Sequence, residues 1–432
     1  MSGGLRVAVN PRAARRDAAY GASALAADGF AAAEREIASW PGYAATPLAR
    51  LDGLARSLGL AALWYKDERG RFGLKSFKAL GGAYAVRRVL ERQARPARKL
   101  TVTCATDGNH GRSVAWGARL FGCNCVIFIH ATVSEGRAEA IRRYGAEVVR
   151  VQGNYDDAVR HAAAEAARHG WFVVSDTSYE GYRDVPIDVM HGYGVMAAEI
   201  LRQLPAGALE RGAGAPFYGD ATAEARRVPA ELTRAPSPAP GSHLRPPGAG
   251  TAPPSAGEVP THVFVQVGVG ALAAAICARF WLAWGPRRPR FVAVEPARAD
   301  CLARSIEAGR PVVVHGDLET VMAGLACGEV SELAWEILRA GTDVALAIGD
   351  DWALEAVRAL AKPREGDPVV VAGETGGAGL AALLALRDRP DLRAQLGLDA
   401  SSRVLLLGSE GDTDPEIYRR IVGKSAEELL AP

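Results

Sequence analysis

Residues 72–84 read Phe-Gly-Leu-Lys-Ser-Phe-Lys-Ala-Leu-Gly-Gly-Ala-Tyr. Lys78 follows the aromatic Phe77 and opens an apolar run, Ala79, Leu80, Ala83, Tyr84 and Val86, spaced as the first turns of a helix. Gly81 and Gly82 within that run let another backbone come close. A lysine at a helix start among apolar neighbours is expected to have a lowered pKa, from desolvation and from the positive end of the helix dipole. An amine that is neutral part of the time can attack an aldehyde and hold it covalently. Read alone, the same residues describe a surface lysine on an amphipathic helix. Three further motifs bear on the choice.

Thr106-Asp107-Gly108-Asn109-His110-Gly111 follows an expected buried strand, Leu100 to Cys104, and precedes an expected helix, Arg112 to Leu120. A strand–loop–helix corner of small residues presents backbone N–H groups to an anion. Asn109 adds an amide able to donate to a phenolate oxygen; as a bare turn, Asp-Gly-Asn is equally good chemistry. Val265 to Leu272 (Val-Gln-Val-Gly-Val-Gly-Ala-Leu) ends one strand and opens the helix from Ala271, so Gly268, Val269, Gly270, Ala271 and Leu272 have the form of a phosphate cradle. A dinucleotide loop is the competing reading. The glycine fingerprint is incomplete at Ala273, although Glu295 stands about where a ribose-binding acid would. Last, Val404 to Gly408 is a core strand running into Ser409-Glu410-Gly411-Asp412-Thr413-Asp414-Pro415. The Ser409 hydroxyl could bond a ring nitrogen without keeping it protonated, or the stretch could simply be a turn before a helix capped by Asp412.

In this order the four motifs resemble pyridoxal-phosphate enzymes of the tryptophan synthase β type, fold type II. Further stretches narrow the resemblance to the diaminopropionate ammonia-lyase family: Arg71 to Leu74, Ala105 to Arg112 with Trp116, Asp176-Thr177 with Glu180-Gly181-Tyr182, Met322 to Glu329, and Glu410 to Pro415. It runs from about Ile37 to Ile421, with one insertion. Asp107 is the discriminating position, because the serine and threonine dehydratases of this fold carry a small neutral residue there.

The resemblance implies roles for numbered residues. Lys78 would hold the aldehyde of pyridoxal 5'-phosphate and, once freed, act as base on one face of the substrate Cα. Asp107 would be the second base, on the opposite face. Asp176 would grip the substrate's β-ammonium, although it could also cap the turn after its strand. Asn109 would support the phenolic oxygen, Ser409 the ring nitrogen, and residues 268–272 the phosphate. Thr106 and His110 would help to hold the substrate carboxylate. Glu374 would line the ring's edge or merely begin a helix. The implied reaction is α,β-elimination of 2,3-diaminopropionate to pyruvate and ammonia. A serine or threonine dehydratase and a non-catalytic scaffold of the same fold are the alternatives.

With 432 residues and almost half of them hydrophobic, the chain can bury a large core, and its length favours two lobes. A net charge of +2 gives no reason to expect a nucleic-acid partner. Six cysteines in a chain this long are no disulfide framework; Cys123 and Cys125 lack further ligands at metal spacing, and Cys301 and Cys327 could meet in space. His130, His161, His169, His191, His243, His262 and His315 form no metal-spaced cluster. No apolar run reaches the ~18 residues of a membrane span. The N-terminus, with Arg6, Arg12, Arg15 and Arg16, reads as a solvated arm packing on the enzyme and not as a secretory signal. A cytoplasmic enzyme is expected, and the resemblance implies a homodimer.

Short Val/Ile/Leu-rich strands alternate with helices, which predicts an α/β fold of parallel sheets flanked by helices. Strands are expected at Ala62–Tyr65, Leu100–Cys104, Val126–Ile129, Glu147–Val151, Phe172–Ser175, Val263–Gln266, Arg290–Val294, Val369–Ala372 and Val404–Leu407. The resemblance places a small lobe at 98–185. A large lobe would take the remainder, from an N-terminal part at 1–97 and from 186–432. Residues 204–260 break the pattern: they hold 11 of the 25 prolines, and Ala, Gly, Pro and Ser fill more than half of them. Such a stretch buries too little apolar surface to offset its ordering entropy and is expected to be disordered.

Overall fold

In the computed structural model, residues 4–14, 20–21, 24–106, 108–204, 259–364 and 366–431 are described. Their strands are β1 (Arg6–Val9), β2 (Leu48–Arg50), β3 (Ala62–Asp67), β4 (Thr101–Ala105), β5 (Asn124–His130), β6 (Glu147–Val151), β7 (Phe172–Val173), β8 (His262–Gln266), β9 (Arg290–Pro296), β10 (Val344–Ile348) and β11 (Arg403–Gly408). Two sheets result. The larger has the order β1-β10-β9-β8-β11-β3-β2, parallel in its five central strands and antiparallel at both edges. The smaller, β6-β5-β4-β7, is parallel throughout. Helices cover the faces of the large sheet, so all residues of β3, β8 and β10 are buried, including the polar residues at the ends of β3 and β8.

Two expectations need correction. Arg6–Val9 is no solvated arm: it adds an edge strand to β10, and Arg6 bonds Asp300 and Glu307. Val369–Ala372 is not a strand. The Val370 N–H donates to Leu360 O, at the end of a helix, and the following Gly373 N–H to Glu410 O, so the stretch joins no ladder. β10 was not among the expected strands, since a short run of Val, Ala, Leu and Ile after a helix has no period of its own. The proline-rich stretch falls outside the described residues except for Leu204, Val259 and Pro260.

The parallel pairing of β3 with β11 sets up the site. Gly408 lies opposite Asp67, so the chains leaving both strands run on side by side. The Phe77 N–H donates to Ser409 O at 2.9 Å, the Gly411 N–H donates to Lys75 O at 3.0 Å, and Ser76 forms a bridge with Glu410. To make this turn, Phe72 and Lys75 adopt φ of 49° and 56°, unusual for residues with side chains. A buried charge cluster pins the turn to the helix Asp184–Gln203: Glu199 bonds Lys66 at 2.7 Å and Arg71 at 2.8 Å, and Arg71 bonds Glu68 at 2.8 Å. The helix that follows, Lys78–Glu91, packs against Asn109–Phe121 and Asp184–Gln203. Gly82 makes the first contact possible, because a Cβ there would sit 2.0 Å from Ser113 Oγ.

Candidate active site

The loops after β4, β7, β8 and β11 all leave the carboxyl ends of parallel strands, where open α/β sheets place their ligands. Lys78 is the first residue of its helix, and its Nζ forms an ion pair with Asp176 Oδ2, over the rings of Phe77 (5.5 Å) and Tyr193 (5.8 Å). Burial alone would lower its pKa, but the Asp176 carboxylate outweighs burial, with smaller contributions from Tyr193 and Cys327. The amine is therefore held well above its ordinary range. This reverses the expectation from local sequence, which saw the helix end and the apolar neighbours but not a carboxylate 98 residues away. Burial pushes Asp176 up in turn, and Lys78 and His110 pull it well below the usual carboxylate range.

His110 Nε2 lies 2.8 Å from Val174 O, and a carbonyl only accepts, so Nε2 carries the proton. Burial lowers the ring's pKa, against the pull of Asp176, whose Oδ2 is 4.0 Å from Nδ1. Thr106 Oγ1 accepts from the N–H groups of Gly108 and Gly111, both at 3.0 Å, and so shapes the loop. Asn109 Nδ2 donates to Glu410 Oε2 at 2.5 Å, while its Oδ1 accepts from Arg112 at 2.9 Å. Ser409 is buried, and its Oγ has no protein partner. Burial and the neighbouring Glu410 push Glu374 up to about 7.

β8 leads into Gly268, Val269 and Gly270, and the helix Ala271–Trp284 begins there, its first-turn N–H groups free of intrahelical partners. Gly270 has φ 94°, and a Cβ on it would meet Ala334 Cβ at 2.8 Å; one on Gly268 would sit 3.0 Å from Gly324 O. The Met322 to Glu329 stretch thus backs Gly268, and Val330 with the helix Glu332–Gly341 backs Gly270. Glu295 is fully buried and accepts from the N–H groups of Leu302 and Ala303 at 2.8 Å each, which removes it as a ribose-binding acid. All six cysteines are free thiols, and among the described residues no cluster of His, Cys, Asp or Glu could hold a metal.

The family described as pyridoxal-phosphate dependent enzymes matches residues 39–213 and 250–409. The chain is 36% identical over 404 residues to diaminopropionate ammonia-lyase of Escherichia coli strain K12, covering 89% of both chains. It is 36% identical over 412 residues to the enzyme of that name from Salmonella typhimurium strain LT2, covering 89% of this chain and 90% of the relative. The chain belongs to the diaminopropionate ammonia-lyase family of pyridoxal-phosphate dependent enzymes. The solved Escherichia coli enzyme in complex with an aminoacrylate-PLP azomethine reaction intermediate superposes with a TM-score of 0.79 at 33% identity, covering 98% of this chain and 97% of that one. Its complex with D-serine also gives 0.79, at 32% identity, covering 99% of this chain and 98% of that one.

The residues present fit the family's cofactor. A buried hydroxyl without a partner (Ser409), a glycine cradle at a helix start and a lysine at a second helix start are what a ring nitrogen, a phosphate and an aldehyde require. Asp107, expected as the second base, lies outside the described residues. The sequence reading missed Tyr193, a buried tyrosine whose ring lies beside Lys78 Nζ. The available signal was Gly192 and Gly194, glycines flanking a tyrosine inside a helix, a sign of close packing. It also missed Glu410 and Arg112, which act on Asn109.

Proposed function

We infer that this chain catalyses the α,β-elimination of 2,3-diaminopropionate, which with water gives pyruvate and two molecules of ammonia. The observation that carries the reading within the site is the ion pair of Asp176 and Lys78: a carboxylate positioned to hold an ammonium stands beside the lysine that serves the cofactor. Pyridoxal phosphate, when bound, supplies an electron-withdrawing ring that acidifies the substrate's α-hydrogen.

The remaining work falls to side chains and backbone. Residues 268–272 give N–H groups to the phosphate, and Asn109 donates to the ring's phenolic oxygen. Ser409 meets the ring nitrogen with a neutral hydroxyl, which leaves the ring a weaker electron sink and suits elimination over transamination. Lys78 Nζ removes the α-proton from one face of Cα, and Asp107 from the other, so that both enantiomers can be used. Asp176 exchanges the lysine ammonium for the substrate's β-ammonium and so places the leaving group. Thr106 and His110 stand by for the substrate carboxylate.

Homodimeric assembly and a cytoplasmic location complete the reading, supported by the resemblance and by six reduced thiols. Two lobes belong to the same reading, a small one at 98–185 and a large one from the rest, and the presence of two separate sheets supports it. Among the described residues no helix is long and apolar enough to cross a membrane. The test is pyruvate release from 2,3-diaminopropionate, serine and threonine under one set of conditions. Preference for the diamino acid is expected, and equal or faster turnover of the hydroxy amino acids would make the chain a dehydratase.

A further inference from the structure

Asn109 is held at both ends of its amide. Arg112, one helical turn later on the same face, donates from its guanidinium to Asn109 Oδ1 at 2.9 Å and to Leu74 O. A guanidinium can only donate, so the oxygen of the amide must face Arg112, and the nitrogen must face Glu410 Oε2, 2.5 Å away. An amide nitrogen has two hydrogens, and Glu410 takes one. Glu410 is itself fixed: it is buried, its backbone bridges to Ser76, and its carbonyl accepts from Gly373 N–H at 3.0 Å. Gly376 is pressed so close that a Cβ there would lie 2.4 Å from Glu410 O.

We propose that Arg112 and Glu410 are positioning residues that orient the Asn109 amide, leaving a single N–H for the phenolic oxygen of pyridoxal phosphate. Glu410 follows Ser409 directly, so one short segment would address the ring at its nitrogen and, through Asn109, at its hydroxyl. The inference rests on the family's cofactor and not on the choice of substrate.

The test uses the apo-protein and pyridoxal phosphate as the probe, with affinity read from quenching of tryptophan fluorescence. The visible absorption of the bound cofactor is titrated with pH as a second readout. Losing one oriented hydrogen bond should weaken binding about three- to ten-fold in Glu410→Ala and shift the midpoint of the absorption titration. Glu410→Gln, whose amide oxygen still accepts, should stay within about two-fold of the unaltered protein. Glu410→Asp keeps the charge but withdraws the acceptor by one methylene, and should fall with the alanine variant. The double variant Asn109→Ala, Glu410→Ala should bind no more weakly than Asn109→Ala alone. Additive losses would overturn the clamp, because Glu410 would then act without Asn109. Wild-type binding by Glu410→Asp would also overturn it, since charge alone would suffice. Should the alanine variants not fold, the Gln and Asp pair decides by itself. Failure of the unaltered protein to bind pyridoxal phosphate would instead remove the cofactor assignment, a separate result.

Discussion

Asp176 holds an ammonium group against its carboxylate, and that ammonium belongs to Lys78. Asp176→Asn keeps the shape and removes the charge, so burial is left to dominate the lysine and its pKa should fall below the ordinary value. The apo variant should therefore react with pyridoxal phosphate faster near neutral pH, as followed by stopped-flow absorbance. Its KM for 2,3-diaminopropionate should rise by about 10²-fold, the usual consequence of leaving a buried charge unpaired. Serine carries no second ammonium and should lose far less. Equal losses on both substrates would assign Asp176 to Lys78 alone. Asp107→Asn addresses the opposite face of Cα: loss of a general base typically costs about 10²- to 10⁴-fold, and it should fall on one enantiomer of 2,3-diaminopropionate. The cofactor spectrum should persist, and equal loss for both enantiomers would point to orientation of the substrate. The reading of Lys78, Asn109 and Ser409 rested on local sequence: Lys78 opens an apolar run at helical spacing, and Asn109 and Ser409 each follow a glycine at a loop or strand end. The contacts that set their states were not legible there: Asp176 was expected to hold the substrate's ammonium and not that of Lys78, and Glu410 and Arg112 act on Asn109 through a geometry that only the fold creates.

At the scale of elements, the helix Cys301–Ala308 begins on a buried acid. Burial pushes Glu295 up to about 8, against the N–H groups of Leu302 and Ala303, with Asp300 raising it further and Cys301 lowering it slightly. A carboxyl whose pKa is higher folded than unfolded binds more protons in the native state between those two values. Its stabilisation is therefore fully present below the unfolded pKa, near 4.5, and is lost as pH rises through about 8. Glu295→Gln removes that dependence. Its melting temperature, scanned from mildly acidic to mildly alkaline buffer, should rise relative to the unaltered protein as pH increases. Glu374, raised to about 7, contributes the same sign in both proteins and cancels in the difference. A constant difference across the scan would mean that the helix N-terminus already keeps Glu295 ionised. Sequence placed this acid on its strand but suggested a ribose ligand, because spacing along the chain cannot say whether a side chain turns toward a cleft or caps the next helix.

Across the whole molecule, the strands of the catalytic loops read easily, since a strand covered by helices is built mostly of apolar and β-branched residues. The edges did not. β1 and β2 are short and paired antiparallel, β1 to β10 far along the chain and β2 to its neighbour β3, so nothing in their own residues announces a sheet. The proline-rich stretch runs between Leu204, which closes the helix Asp184–Gln203, and Val259, which lies three residues before β8 and whose carbonyl accepts from Arg403. Both ends are anchored by contacts of their own, and every group assigned to cofactor or substrate lies elsewhere in the chain. Excising residues 207–256 and closing the gap with a short Gly/Ser linker should thus leave pyridoxal-phosphate affinity and turnover within a few-fold. Closing a shorter loop changes the entropy of the chain only slowly with length, so the melting temperature should move little. Cofactor affinity, turnover and sedimentation are to be measured together on the excised protein. A folded product that has lost its cofactor would mean that the insertion packs on the site. Intact cofactor binding with a change of mass in solution would place it at an interface between copies of the chain.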